Sequence, residues 1–108
     1  MATPSNPAMA AALARLWTRF LPEIENRVAI LETAAASLAA GSLTAEKKQA
    51  AHDAAHKLAG TLGTFGLHRG TELARHAEAF FAEEDRTATA QQVTAGIAEL
   101  ALLIKTRK

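Results

Sequence analysis

Residues 55–67, AHKLAGTLGTFGL, place one histidine and three glycines in a segment whose apolar residues have helical spacing. The histidine is His56, and an imidazole with an ordinary pKa of about 6.5 offers an unprotonated nitrogen near neutral pH. Such a nitrogen can act as a nucleophile. His52 precedes it at the i, i+4 spacing that lets two imidazoles share one metal ion. The segment is therefore a candidate for chemistry at a histidine, either covalent or metal-dependent.

The glycines after His56 are unusual, because a glycine inside a helix costs about 1 kcal/mol relative to alanine. At about 100° per residue, Gly60 lies about 40° to one side of His56 and Gly63 about 20° to the other. The opposite side of the helix carries an apolar stripe suited to a core: Ala51, Ala54, Leu58, Leu62 and Phe65. We therefore expect His56 to project from an exposed, smooth helix surface that a partner can approach.

The helix that carries this segment is predicted to span residues 45–65. Thr44 is suited to its N-cap, and Gly66 can adopt the left-handed conformation that ends a helix. After a tight connection, a further helix is expected near residues 68–84, where Gly70 weakens the first turn. The site helix is thus expected to have a neighbour that follows it directly in the chain.

Two more helices are expected before the site helix. Asn6 and Pro7 are typical of a helix start, as N-cap and first helical residue. Pro22 separates this short helix from a second one over residues 22–40, and Gly41 is suited to stop that second helix. The two segments can equally be one kinked helix, and the sequence leaves both possibilities open.

The last predicted helix begins with the capping box Thr89-Ala90-Gln91-Gln92. Each helix has an apolar stripe that we expect to face the core. Besides that of the site helix, the stripes are Met9, Leu13, Leu16 and Phe20 with Trp17 beside them; Ile24, Val28, Leu31, Ala35 and Leu38; Leu73, Ala77 and Phe80; and Val93, Ile97, Leu100 and Ile104. Short connections make sequential helices antiparallel neighbours. The predicted fold is all-α, an up-and-down four-helix bundle with an additional short N-terminal helix.

The composition is that of one helical domain, which we expect to cover residues 1–108. Apolar residues make up 49% of the chain and there is no tyrosine, a balance that favours packed helices over a sheet. The net charge of +1 argues against nucleic acid or a membrane surface as the main partner. Without cysteine, disulfides and thiolate chemistry are excluded. With no leader-like N-terminus and no apolar run of membrane-spanning length, we expect a cytoplasmic protein.

Residues 56–67, HKLAGTLGTFGL, resemble the active segment of histidine-containing phosphotransfer (HPt) domains. In that family a histidine is followed four residues later by a small residue, usually glycine, and a further glycine closes the helix. The length of the chain and its number of helices are also similar to the family. The match in residues 56–67 is the more specific of the two, because it fixes a histidine, apolar positions and glycines together.

The resemblance implies a phosphorelay intermediate without an ATP-binding domain, and so a phosphotransfer protein and not an enzyme. His56 would accept a phosphoryl group from the phosphoaspartate of a response-regulator receiver domain, or from a sensor histidine kinase, and pass it to another receiver aspartate. The receiver would supply the acidic pocket and the Mg²⁺ ion, so this chain is expected to bind no cofactor. Phosphoryl transfer relies mainly on positioning and charge neutralisation.

The residues around His56 then become candidates for the phosphoryl and partner surface. Gly60 and Gly63 would give clearance to a receiver, and His52 could contact the phosphoryl group or the receiver. Asp53 could orient the imidazole or be an ordinary solvated charge. The other candidates on this helix are Lys48, Gln49, Lys57 and Thr64.

One residue departs from the common pattern of the family. Many members carry a lysine three residues after the histidine, where its charge can help to hold the phosphoryl group. This chain has Ala59 there, as some members do, and Lys57 lies about 100° round the helix. An interaction module that has kept the fold but lost phosphotransfer therefore stays open as an alternative.

The other alternative is a metal site on His52 and His56. Their spacing allows two imidazoles to bind one ion, but a third ligand would have to come from a neighbouring helix. Glu72 and His76 are the residues that the sequence offers for this role.

Overall fold

The computed structural model describes residues 7–84 and 87–107, and within these ranges it contains four helices and no strand. Helix α1 spans Pro7–Ala39, α2 spans Ala45–Thr64, α3 spans His68–Phe81 and α4 spans Ala90–Thr106. Each helix packs against the next, and α4 closes the ring against α1. Because the connections are short, neighbouring helices run antiparallel. The predicted all-α, up-and-down four-helix bundle is confirmed.

Of the two possibilities that the sequence left open at Pro22, two helices or one, the structure has one continuous helix. α1 continues through Pro22 for 33 residues, so the described residues contain no separate short N-terminal helix. Proline removes the backbone hydrogen bond to the carbonyl of Thr18, but both residues are exposed and water can satisfy that carbonyl. An unbroken helix buries Trp17 before the proline and Ile24 after it. The predicted N-cap Asn6 lies outside the described residues.

The predicted capping residues of α2 and the predicted capping box of α4 are confirmed. The Thr44 hydroxyl accepts a hydrogen bond of 3.1 Å from the backbone N–H of Lys47. α2 ends one residue earlier than predicted, and Gly66 follows with a φ of +71°, the left-handed conformation that glycine tolerates. At the start of α4, Thr89 and Gln92 form the predicted capping box. These local signals therefore set both ends of the site helix and the start of the last helix.

Side chains from all four helices form the core. Its largest fully buried members are Ile24, Leu31, Leu58, Leu62 and Leu100. On α3, Phe81 is the buried aromatic residue, and Phe80, which was predicted to face inward, is only partly buried. α3 ends at Phe81, short of the predicted residue 84, and Glu83 adopts a φ of 60° in the turn that follows.

The N-terminal stripe of α1 is less buried than predicted. Trp17 is 4% exposed, but Met9, Leu16 and Phe20 are exposed. Phe20 still meets the ring of Phe65 at the end of α2. For the residues before it the physical reason is length: a helix of 33 residues is about 50 Å long and α2, with 20 residues, about 30 Å. The start of α1 therefore extends beyond the helix against which it packs.

Small residues let α2 and α3 lie close together. Ala55 and Ala59 are buried on α2. On α3, a Cβ placed at Gly70 would lie only 3.1 Å from Cδ1 of Leu62. Gly70, which the sequence marks only as a weak point of the first turn, is thus a residue of close helix packing. This approach brings α3 side chains within reach of the exposed face of α2.

Candidate functional site

His56 lies on the exposed face of α2, and its side chain is 70% exposed. The apolar stripe on the other side of the helix is buried, with Leu58 and Leu62 at 0% exposure. The predicted exposure of His56 is therefore confirmed. Its Nδ1 atom lies 2.7 Å from Oε2 of Glu78 on α3, and the Glu78 side chain is only 21% exposed.

The contact with Glu78 determines which nitrogen of His56 carries the proton. An ionised carboxylate can only accept hydrogen bonds, so Nδ1 must donate. In the neutral ring the lone pair is then on Nε2. Nε2 has no hydrogen-bond partner within the described residues. The geometry thus presents an exposed imidazole whose free nitrogen is Nε2.

A second histidine and a second carboxylate lie directly beside this pair. His52 is 31% exposed, and its Nδ1 lies 3.2 Å from Oδ1 of Asp53. Gln49 donates a hydrogen bond of 2.9 Å to the same oxygen. The hydrogen bond from His52, followed by that from Gln49, lowers the pKa of the Asp53 carboxyl below its ordinary value. Asp53 therefore contacts His52, and the carboxylate that contacts His56 is Glu78.

Among the described residues, none comes close enough to require a glycine at position 60, and only one side chain approaches position 63. A Cβ at Gly60 would have no atom within 4 Å, and one at Gly63 would meet only the Thr71 hydroxyl, at 3.8 Å. Neither glycine has a positive φ. Thr64 bonds back to its own helix, with its hydroxyl donating to the Gly60 carbonyl at 3.1 Å. The missing side chains therefore leave the helix surface beside His56 open.

Cationic side chains of the described residues do not contact His56. Lys48 forms an ion pair with Glu83, and Lys57 is exposed on another side of the helix. Ala59, at the position where many HPt domains have lysine, is 3% exposed. A lysine there would have to extend out from the packed edge of α2. The immediate surroundings of His56 are therefore acidic.

Comparison with known proteins identifies the family. The family model for the Hpt domain matches residues 15–106. The chain belongs to the Hpt domain family. Protein RcaC of Microchaete diplosiphon is 37% identical to this Hpt domain over 76 residues, which are 70% of the chain and 12% of RcaC. The chain thus spans a small part of that relative, and no solved structure matches it.

Hpt domains are phosphotransfer modules of phosphorelays that work with receiver domains and kinases of two-component systems. The predicted family and the phosphorelay role at this level are therefore confirmed. No helix within residues 7–84 and 87–107 has the length and apolar character needed to cross a bilayer.

Neither of the two residues considered as a third metal ligand lies beside His52 and His56. Glu72 pairs with Arg69, and His76 lines a recess with Gln92 near the start of α4. Within the described residues, no three histidine or carboxylate side chains are arranged to hold a metal ion. His52 and His56 share only the Glu78 carboxylate, at 3.8 and 2.7 Å.

The Glu78 contact is the part of the site that sequence reasoning missed. Glu78 is 22 residues from His56 and lies between two buried positions of α3, Ala77 and Phe81. A carboxylate at the border of an apolar stripe indicates a contact with the neighbouring helix, because that border lies at the edge of a helix interface. Assigning it to His56 requires the register of α3 against α2, which the spacing within one helix does not give.

Proposed function

We propose that this Hpt domain carries a phosphoryl group on Nε2 of His56 and exchanges it with the aspartate of a response-regulator receiver domain. The observation that carries the proposal is the state of His56. Its side chain is 70% exposed while Nδ1 is bound to Glu78 at 2.7 Å. One ring nitrogen is engaged by the protein and the other is available to a partner. A sensor histidine kinase would use the same nitrogen.

In the proposed step the lone pair of Nε2 attacks the phosphorus of the receiver's aspartyl phosphate. The N–P bond forms as the P–O bond to aspartate breaks, and the bonding electron pair leaves with the aspartate carboxylate. Nδ1 keeps its proton, so the ring becomes a phosphorylated imidazolium and no general base is needed. The reverse step returns the phosphoryl group to a receiver aspartate.

Neutralising the charge of the phosphoryl group is assigned to the receiver. Phosphoryl transfer depends on positioning and on electrostatic stabilisation of the transferring group. Glu78 and Asp53 are acidic, and no described cationic side chain contacts His56. We therefore propose that the receiver's acidic pocket binds the Mg²⁺ ion for this step.

The surface around His56 supports docking of a flat partner. Gly60 and Gly63 are exposed and lie beside His56 on the helix, so a receiver that covers the imidazole meets no side chain at these two positions. Gln49, His52 and Asp53 form the adjoining polar rim through their mutual hydrogen bonds. The in-line approach that phosphoryl transfer needs is open from this side.

Phosphate transfer from a phosphorylated receiver tests the proposal. We expect the wild-type domain to acquire acid-labile, base-stable phosphate and His56→Gln to acquire none. His76→Gln is the matched control, because His76 is an exposed histidine outside the site, and it should behave as wild type. A panel of receivers in which none transfers phosphate, although some bind the domain, would contradict the proposal and favour the binding-only module.

A further inference from the structure

We infer that His52, as an imidazolium, balances the charge of the phosphoryl group that His56 carries between one transfer and the next. The inference rests on the proposed function and deepens it, because it concerns the phosphorylated domain after its partner has left. It gives the second histidine of the site a role of its own.

A phosphorelay domain has to hold its phosphoryl group alone. The receiver is proposed to supply Mg²⁺ during the transfer, but that ion leaves with the receiver. A phosphoryl group on a side chain carries about 1.5–2 negative charges near neutral pH. On His56 it would stand close to the carboxylate of Glu78, whose Oε2 lies 2.7 Å from Nδ1 of the ring. Because like charges destabilise each other, a positive charge on this face stabilises the phosphorylated state.

His52 lies on the same face of α2, one helical turn before His56. Side chains at this spacing have Cβ atoms about 5–6 Å apart, less than the Debye length of about 8 Å at physiological ionic strength. Both rings are near the same atom, since Oε2 of Glu78 lies 3.8 Å from Nε2 of His52 and 2.7 Å from Nδ1 of His56. A charge on His52 therefore acts on a phosphoryl group of His56 with little screening by salt.

The surroundings of His52 accommodate a positively charged ring. Nδ1 of His52 lies 3.2 Å from Oδ1 of Asp53, and Nε2 faces Oε2 of Glu78 at 3.8 Å. A neutral imidazole carries a proton on one nitrogen, whereas the imidazolium carries one on each. Here a carboxylate oxygen faces each nitrogen, and at 31% exposure the side chain is also open to water.

The other charged groups around His52 are a lysine and a glutamate that pair with each other. Lys48 and Glu83 line the recess beside His52, which is formed by α2, the end of α3 and the turn after it, and they form an ion pair. α1 meets α2 on another side, at Lys47 and Ala50. Histidine differs from lysine because it gains its charge in the physiological range, roughly pH 5 to 8. His52 can therefore take up a proton when His56 is phosphorylated.

Proton uptake by His52 and phosphorylation of His56 are thermodynamically linked. If the imidazolium stabilises the phosphoryl group, phosphorylation must favour the imidazolium by the same factor. Pairs of exposed charges change an equilibrium by up to about fivefold. We therefore expect a factor of about three to five, and it can be measured from either side of the linkage.

Nitrogen-15 NMR of the wild-type domain measures the linkage from the side of His52 and needs no variant. The domain is phosphorylated with phosphoramidate, or with a phosphorylated receiver that is then removed. With phosphoramidate, Nε2 of His56 bonds to phosphorus as the P–N bond of the donor breaks, and the protonated amino group leaves as ammonia with the electron pair. At neutral pH the ratio of charged to neutral His52 should rise about three- to fivefold on phosphorylation. The ratio for His76, an exposed histidine outside the site, should stay the same.

The equilibrium of phosphate between the domain and a receiver measures the linkage from the side of His56. His52→Gln removes the charge, His52→Lys makes it permanent, and His76→Gln is the matched control, each shown to be folded by circular dichroism. The equilibrium constant should shift about three- to fivefold toward the receiver in His52→Gln, and it should not do so in His52→Lys or His76→Gln. Lowering the pH from about 8 to 6 should widen the difference between the wild type and His52→Gln. Docking contacts do not enter, because an equilibrium between separate proteins is independent of their affinity for each other.

An unchanged charge ratio of His52 on phosphorylation would overturn the inference and leave the proposed function intact. Equal shifts in His52→Gln and His52→Lys would also overturn it, because they would assign His52 a structural role that its charge does not explain. A wild-type domain that takes no phosphate from phosphoramidate or from any receiver would overturn the proposed function, and the inference with it.

Discussion

At the residue scale, the site consists of two histidines with one carboxylate each. Glu78 accepts from His56 at 2.7 Å, and Asp53 accepts from His52 at 3.2 Å. The first pair joins two helices and the second lies within α2. The exposed His56 is therefore oriented from the neighbouring helix, while His52 is bound by a residue of its own helix.

The hydrogen bonds that His52 and Gln49 donate to Asp53 predict how the pKa of Asp53 responds to mutation and how stability depends on pH. The hydrogen bond from His52 is the main cause of the lowered pKa of Asp53, so His52→Ala should raise that pKa towards its ordinary value of 3.8. Because the pKa of Asp53 is lower in the folded than in the unfolded protein, the contribution of Asp53 to the stability of the folded domain is fully present above the unfolded pKa of about 3.9. It is lost as the pH falls through the lowered value.

Carbon-13 NMR titration of the Asp53 carboxyl group measures this shift directly. Gln49→Ala serves as the control, because Gln49 is the second cause of the shift and its removal should raise the pKa less. An Asp53 pKa unchanged in His52→Ala would contradict the interaction.

The sequence predicted the exposed residues of the site on α2 but not the carboxylate on α3 that contacts His56. His56, Gly60 and Gly63 belong to one helix, and a rise and rotation per residue suffice to place them on one face. The partner of Nδ1 comes from α3, and its identity depends on how far two helices slide along each other. The single-helix pattern therefore offered Asp53 as the orienting carboxylate, and the structure assigns that contact to Glu78.

At the element scale, the pairing of α2 and α3 positions the site. Buried Ala55 and Ala59 and the crowded Gly70 keep the helices close enough for Glu78 to reach His56. The caps of the helices were predictable, since Thr44 and Thr89 act on neighbours in the chain. The continuity of α1 through Pro22 was not predictable, because it depends on whether the Thr18 carbonyl, which loses its hydrogen bond at Pro22, is exposed to water.

Gly60 on α2 and Gly70 on α3 give opposite predictions for the stability of alanine variants. Gly60→Ala should stabilise the domain by about 1 kcal/mol, the difference in helix propensity, because its Cβ meets nothing within 4 Å. Gly70→Ala should bring no such gain, because its Cβ would lie 3.1 Å from Cδ1 of buried Leu62 and overpacking offsets propensity. Urea denaturation of both variants measures the difference.

The rate of phosphate transfer from a receiver adds a functional measurement to the comparison of these glycine variants. Gly60→Gln should fold as well as Gly60→Ala but block phosphate transfer, because a long side chain then stands beside His56. A Gly60→Gln domain that accepts phosphate at the wild-type rate would show that clearance at this position is not needed. Equal stabilisation by alanine at both glycines would contradict the packing role of Gly70.

At the scale of the whole molecule, four helices close into a ring in which α1 and α3 are the neighbours of α4 and α2 lies diagonally across from it. The composition and the apolar stripes were enough to predict this architecture, since short loops leave antiparallel neighbours as the simple arrangement. The unequal lengths of the helices were not predictable in the same way. The exposed start of α1 follows from them.

This arrangement separates stability from the site. Leu100 on α4 is fully buried, and Leu100→Ala should lower the free energy of unfolding by about 2–5 kcal/mol. Leu102→Ala, at a residue 59% exposed on the same helix, should change it little. Because α4 lies diagonally across the bundle from α2, the phosphorylation rate of the folded Leu100→Ala domain should match the wild type, as measured where denaturation curves show it folded. A slower rate would indicate that the core of α4 affects the site.

The contact between Trp17 and the end of α2 has an optical consequence. The chain contains one tryptophan and no tyrosine, so its near-ultraviolet fluorescence is dominated by Trp17. The indole meets Phe65, the C-cap of α2, edge to face at 5.2 Å, and the Arg107 guanidinium lies 4.3 Å from its ring centre. The wavelength of the emission therefore depends on whether α1, the end of α2 and the end of α4 stay together. The unlabelled protein carries its own spectroscopic reporter on α1, in contact with the end of the helix that bears His56.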